Sequence, residues 1–113
     1  MNSSGFIRGM MAKNMVTEEF LQKVCETIER QLQLWDETYR LRFYKELLAL
    51  DAYKIVVNRS SGESYTVLLA VNDVQVMQQD SPYALDRFIW KTLEEQGLTI
   101  QPSNGNYLTY CNL

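Results

Sequence analysis

The sequence predicts an α+β fold, with helices packed on an antiparallel sheet of three to five strands in the order α(α)βββαββ. Three observations carry this reading. Apolar residues recur at steps of three and four from Thr17 to Leu50, then switch to alternation from Tyr53 onward. The alternating runs follow one another with turn residues between them, a meander rather than a series of βαβ units. Ser81–Gly97 then carries the signals of a capped helix placed after the strands.

Taken in order, residues 1–15 (MNSSGFIRGMMAKNM) show no periodicity and read as a flexible N-terminal arm. They lack a continuous apolar run, so no secretory signal is expected. Residues 16–113 form a single domain, long enough for a real core. Thr17 is an N-cap candidate, and Glu18 and Glu19 favour the positive end of a helix. Phe20, Leu21, Val24, Cys25, Ile28, Leu32, Trp35, Tyr39, Phe43, Leu47 and Leu50 keep the helical phase, with no Gly or Pro between Thr17 and Leu50. The segment predicts one long or kinked helix, or two broken near Trp35–Thr38 with Asp36 as a fresh cap. Leu34, Leu41, Tyr44 and Leu48 form a second stripe, so the stretch 38–50 is apolar on several sides.

Tyr53–Asn58 alternates and reads as a strand, and Arg59–Gly62 is a turn by composition. Ser64–Val71 is a second strand, rich in β-branched and aromatic residues. Asn72-Asp73 suits a tight hairpin leading to a third strand, Val74–Gln78. In the helix Ser81–Gly97, Ser81 is the expected N-cap, Pro82 the first helical residue and Gly97 the left-handed closing residue, with Leu98 as its apolar contact. Its core stripe is Ala84, Leu85, Phe88, Ile89 and Leu93, which leaves Asp86, Arg87, Trp90, Glu94 and Glu95 to face a partner. Leu98–Gln101 and Tyr107–Cys111 are expected as closing strands joined by the turn 102–106.

Composition removes several kinds of chemistry. The chain has no histidine, which takes away the commonest general acid–base group and the commonest transition-metal ligand. Its five glycines are scattered and make no phosphate-binding loop. Two cysteines, Cys25 and Cys111, make no disulfide framework and are expected as reduced, packed thiols of a cytoplasmic protein. The longest apolar runs are too short to span a bilayer. Glu94 and Glu95 are adjacent on a helix and cannot act as a facing pair. No catalytic, cofactor-binding or metal-binding residue is assigned, and neither an enzyme nor a cofactor is expected.

What remains is a surface. The net charge is −3, with acids in excess after residue 60, a poor match to a phosphate backbone. The basic and aromatic residues gather instead in Tyr39-Arg40-Leu41-Arg42-Phe43-Tyr44-Lys45, joined by Lys54 and Arg59. Trp90, at the flank of its helix, is an interface-anchor candidate. The possible partner-binding residues are Tyr39, Arg40, Arg42, Tyr44, Lys45, Leu48 and Trp90. Together these features predict a non-catalytic, acidic protein-interaction module, a homodimeric adaptor, chaperone-like protein or inhibitor, whose partner is another protein, a second copy of itself, or both. The order of elements looks like the architecture of secretion-effector chaperones. The tail FIWKTLEEQGLTIQPSNGNYLTYC loosely resembles the end of a winged-helix domain, which keeps open a nucleic-acid-binding regulator or a phage-type inhibitor that occupies a nucleic-acid site. With only Arg87 and Lys91 on that helix to meet a groove, nucleic acid is not the expected partner.

Overall fold

A computed structural model describes residues 3–46, 51–102 and 105–113. The fold is α+β: helices α1 (Ser3–Asn14) and α2 (Thr17–Trp35), strands β1 (Arg40–Lys45), β2 (Ala52–Asn58) and β3 (Ser64–Ala70), then helices α3 (Val71–Asp80), α4 (Ala84–Glu95) and the single turn α5 (Tyr107–Tyr110). The strands form one antiparallel sheet in the order β1-β2-β3. Helices pack on one face of it. Among the described residues no fourth or fifth strand forms.

The core is made where α2 and α4 meet the inner face of the sheet. Helix α2 buries Phe20, Leu21, Val24, Cys25, Ile28 and Leu32 at helical spacing. The strands offer Tyr53, Ile55 and Val57 from β2 and Tyr65, Val67 and Leu69 from β3, all buried, with Leu41 and Phe43 of β1 packed at the margin. Strict alternation puts every second residue of each strand on the other face.

The stretch 38–50 is the main correction. Its described part is not helix: α2 ends at Trp35 and 40–45 is a strand. A spacing of four fits a helix and a strand equally, so Trp35, Tyr39 and Phe43 could not separate the two periods. Leu41 decides it, since it shares a side with Tyr39 and Phe43 only in a strand. The break needs neither Gly nor Pro: the Asp36 carboxylate accepts from the Thr38 N–H at 2.9 Å and the Thr38 hydroxyl at 2.8 Å, which turns the chain by a side-chain route. Residues 47–50 lie outside the described residues, and with them Leu48.

Three further expectations change. Residues 74–78 belong to α3, because Val74 and Gln78, four apart, are the inward pair, while Val76, at 59% exposure, is outward. Gln78 Nε2 donates to the carbonyls of Ala12 and Met15 at 2.9 and 3.0 Å, so the buried amide satisfies the end of α1. Leu98–Gln101 is irregular and Tyr107–Tyr110 is helical, with Leu108 and Cys111 buried at a spacing of three. The closing hairpin, and with it the wing that the winged-helix likeness required, does not form among the described residues. The segment expected as an arm is helical from Ser3 to Asn14 and carries a buried Arg8.

Helix α4 begins at Ala84 with Tyr83 as its cap residue, later than Ser81 and Pro82 suggested; Ser81 instead follows α3 as its C-terminal cap. Its other end is as expected. Gly97 has φ +107°, its N–H reaches the Glu94 carbonyl at 3.0 Å, and the Leu98 N–H reaches the Leu93 carbonyl at 3.1 Å. The buried stripe is Leu85, Asp86, Ile89, Trp90 and Leu93. Trp90 is fully buried and Phe88 is 43% exposed, so these two exchange the roles assigned to them.

Two predictions follow from this packing. Trp90→Ala should cost about 3–5 kcal/mol in urea unfolding, and Phe88→Ala within about 0.5 kcal/mol of nothing. Gly97→Ala should cost about 1 kcal/mol, all of it conformational, because a Cβ there meets no atom within 4 Å. Equal costs at positions 88 and 90 would contradict the helix phase.

Candidate functional site

The helices leave the outer face of the sheet open. β1 contributes Arg40, Arg42 and Tyr44, β2 Lys54, Val56 and Asn58, and β3 Ser64, Thr66 and Leu68. Pairing arranges them in rows: Arg40 beside Asn58 and Ser64, Arg42 beside Val56 and Thr66, Tyr44 beside Lys54 and Leu68. Arg40, Arg42, Tyr44 and Leu68 are exposed, Leu68 at 63%. No outward-facing residue of the three strands is acidic.

This face gathers part of the expected cluster and separates the rest. Arg40, Arg42 and Tyr44 come together, joined by Lys54. Lys45 is exposed at the end of β1 but alternates to the other side. Tyr39 is buried, with the Arg59 guanidinium 5.2 Å from its ring centre. Arg59 itself is occupied, paired to Glu63 at 2.6 Å and to Asp36 at 3.4 Å, and the hydrogen bonds from Thr38 hold the Asp36 carboxyl below its usual range. Trp90 packs against Trp35 with ring centres 5.6 Å apart and planes tilted by 59°, donates to the Tyr107 hydroxyl at 3.2 Å, and is fully buried, so it is not on the surface. Val56, Thr66 and Leu68 also lie on this face, and the alternation along β2 and β3 is the signal that places them there.

A second polar cluster lies inside. Arg8 of α1 pairs with Asp86 of α4, the Tyr107 hydroxyl donates to the other Asp86 oxygen, and the Arg8 guanidinium sits 4.7 Å from the Tyr83 ring centre. The side chains of Arg8 and Asp86 are 7% and 0% exposed. Burial pushes the Asp86 carboxyl above the ordinary carboxylate range, against the opposing pull of Arg8 and Tyr107. Burial likewise raises the Tyr107 hydroxyl. Perturbed groups of this kind also mark catalytic sites. Here every polar atom of Asp86 is engaged in the interior, and the arrangement ties α1 and α5 to α4. The two thiols are protonated at neutral pH: burial raises Cys25, and pushes Cys111 up to about 12.

Among the described residues no helix is long and apolar enough to cross a membrane. Comparison with protein-family models, curated proteins and solved structures finds no match to this chain.

The buried pair generates a pH-dependent prediction. Asp86 binds its proton more tightly folded than unfolded, so its contribution to stability is greatest at low pH and is lost as pH rises through the folded value. Removing Arg8 enlarges that loss. Arg8→Met should therefore cost about 3–5 kcal/mol at neutral pH, and less in mildly acidic urea titrations, where Asp86 can hold a proton. A cost independent of pH would contradict the pairing.

Proposed function

We propose that this protein is a non-catalytic interaction module that holds an acidic region of another protein against the open face of its sheet. One observation carries the reading: in a chain of net charge −3, Arg40, Arg42 and Lys54 share a face on which the outward side chains of β1, β2 and β3 include no carboxylate. Charge of one sign on a flat surface steers an oppositely charged partner and fixes its orientation. Tyr44, Leu68 and Val56 lie between the bases and give the apolar contact that a charge pair alone lacks. A protein partner is favoured over single-stranded nucleic acid because Tyr44 is the only aromatic side chain on the outward positions of the strands, where a base-stacking platform uses several.

The test is the binding of a fluorescent polyglutamate peptide, followed by anisotropy at low and moderate salt. Binding should weaken as salt rises. Arg42→Glu with Lys54→Glu should lose about tenfold, at about 0.5–1 kcal/mol for each exposed charge. No binding by the wild-type protein at low salt overturns the proposal. Tighter binding of a single-stranded oligonucleotide, lost in the same variant, would move the reading to nucleic acid.

A further inference from the structure

The sheet has two edges, and they are treated differently. At the β3 edge Gln96 closes the ladder with its side chain: its amide oxygen accepts from the Thr66 N–H at 2.9 Å, and its amide nitrogen donates to the Thr66 carbonyl. The β1 edge is less protected. The Glu46 N–H bonds to the Ala52 carbonyl across the hairpin, so in β1 the backbone groups of the even-numbered residues point at β2 and those of Leu41, Phe43 and Lys45 point to the free edge. Glu29 of α2 accepts from the Leu41 N–H at 2.9 Å. Past that point a groove of about 350 Å³ runs between α2 and β1, lined by Gln22, Cys25, Glu26 and Glu29 on the helix side and by residues 41–44 on the other. Consecutive strand residues alternate between faces, so a groove lined by all four has the free edge of the strand as its floor. Such an edge is a template for another strand.

We infer that this groove is where a second copy of the chain docks, β1 against β1 in antiparallel register about Phe43. The proposal rests on reading the chain as an interaction module and adds where its own copy binds. Self-complementary charge selects the occupant, and charge together with the length of β1 selects the register. Centring on Leu41 sets Arg40 opposite Arg42, centring on Arg42 sets it opposite itself, and centring on Lys45 does the same for that lysine; each is a like-charge pair. Centring on Tyr44 shortens the overlap to residues 42–46. Centring on Phe43 uses 40–46 and places Arg40 opposite Glu46, Arg42 opposite Tyr44 and Leu41 opposite Lys45. The two-fold axis repeats each pairing. Lys45 of the second copy enters on the side of the strand that faces α2, beside Glu26 and Glu29. Glu26 already lies 3.5 Å from Lys23, and Glu29 exchanges its bond to the Leu41 N–H for the incoming ammonium while the Lys45 carbonyl of the second copy takes over that N–H. The Phe43 side chains meet in the groove at the axis.

Light scattering at high micromolar concentration tests this. The wild-type protein should have twice the chain mass. Arg40→Glu or Glu46→Arg alone should raise the dimer dissociation constant by about tenfold or more, since each change turns two attractive pairs repulsive. The double variant Arg40→Glu with Glu46→Arg should return to within about threefold of wild type, and that rescue distinguishes a broken interface from a broken fold. A monomeric wild type, single reversals without effect, or a double variant that stays monomeric would each overturn the inference. Polyglutamate binding by Lys54 and Arg42 is read separately, so its persistence in a monomer would sink the dimer alone.

Discussion

Only one side of the three-stranded sheet is covered, and most of the structure follows from that. A chain of this length has enough apolar material for one core, and α2, α3 and α4 all spend theirs on the same face. The strands answer with strict alternation: Tyr53, Ile55 and Val57 inward, Lys54 and Val56 on the other side. A face left to solvent must be polar or charged, and here it is charged with one sign. The open, charged face is thus a product of the layer architecture, and the proposed interaction surface would need no loop or cleft dedicated to it.

The same economy accounts for the buried Arg8–Asp86 pair. Helix α4 is short, and its buried stripe is interrupted by a carboxylate whose desolvation is costly. An apolar residue at 86 would pack as well against Trp90 and would not specify where α1 goes. Asp86 is satisfied only when Arg8 and Tyr107 both reach it, so it fixes α1 and α5 in one position on α4. Gln78 does related work from α3, donating its amide to the carbonyls of Ala12 in α1 and of Met15 just beyond it. Two buried polar side chains therefore decide how the terminal segments dock onto a core that would form without them.

That division explains what could be read from the sequence. The α+β class, β2, the body of β3, helix α2 with its end near Trp35 and the glycine closure of α4 rest on local signals, and they are found where those signals lie. β1 was missed because Trp35, Tyr39 and Phe43 repeat every four residues, a step common to both periods. The strand expected at 74–78 failed because Val74 and Val76 alternate by chance, while burial selects Val74 and Gln78 instead. Helix α1 and the inward turn of Trp90 depend on a pair 78 residues apart in sequence, Arg8 with Asp86, which no local pattern can show. With Asp86 turned inward, the helix presents Trp90 to the core in place of Phe88. The basic cluster was legible as composition. Its geometry was not, since a helix would have spread Arg40, Arg42 and Tyr44 around its axis and the strand aligns them.

The open face and the free edge are linked through Arg40. On the face, Arg40 is one of the bases proposed to meet an acidic partner; at the edge, the proposed register would set it opposite Glu46 of a second copy. If the edges pair, Arg40 is partly neutralised and the outer faces of the two sheets become one surface. Arg42 and Lys54 then carry the charge of that surface, repeated about the two-fold axis, with Tyr44 and Leu68 between them. A long acidic segment lying across the axis would meet both sets and bind with the gain of two linked contacts, whereas a short one would meet a single set. Self-pairing of this kind would not compete with partner binding for the whole face. It would remove one base from each copy and make the remaining ones act together.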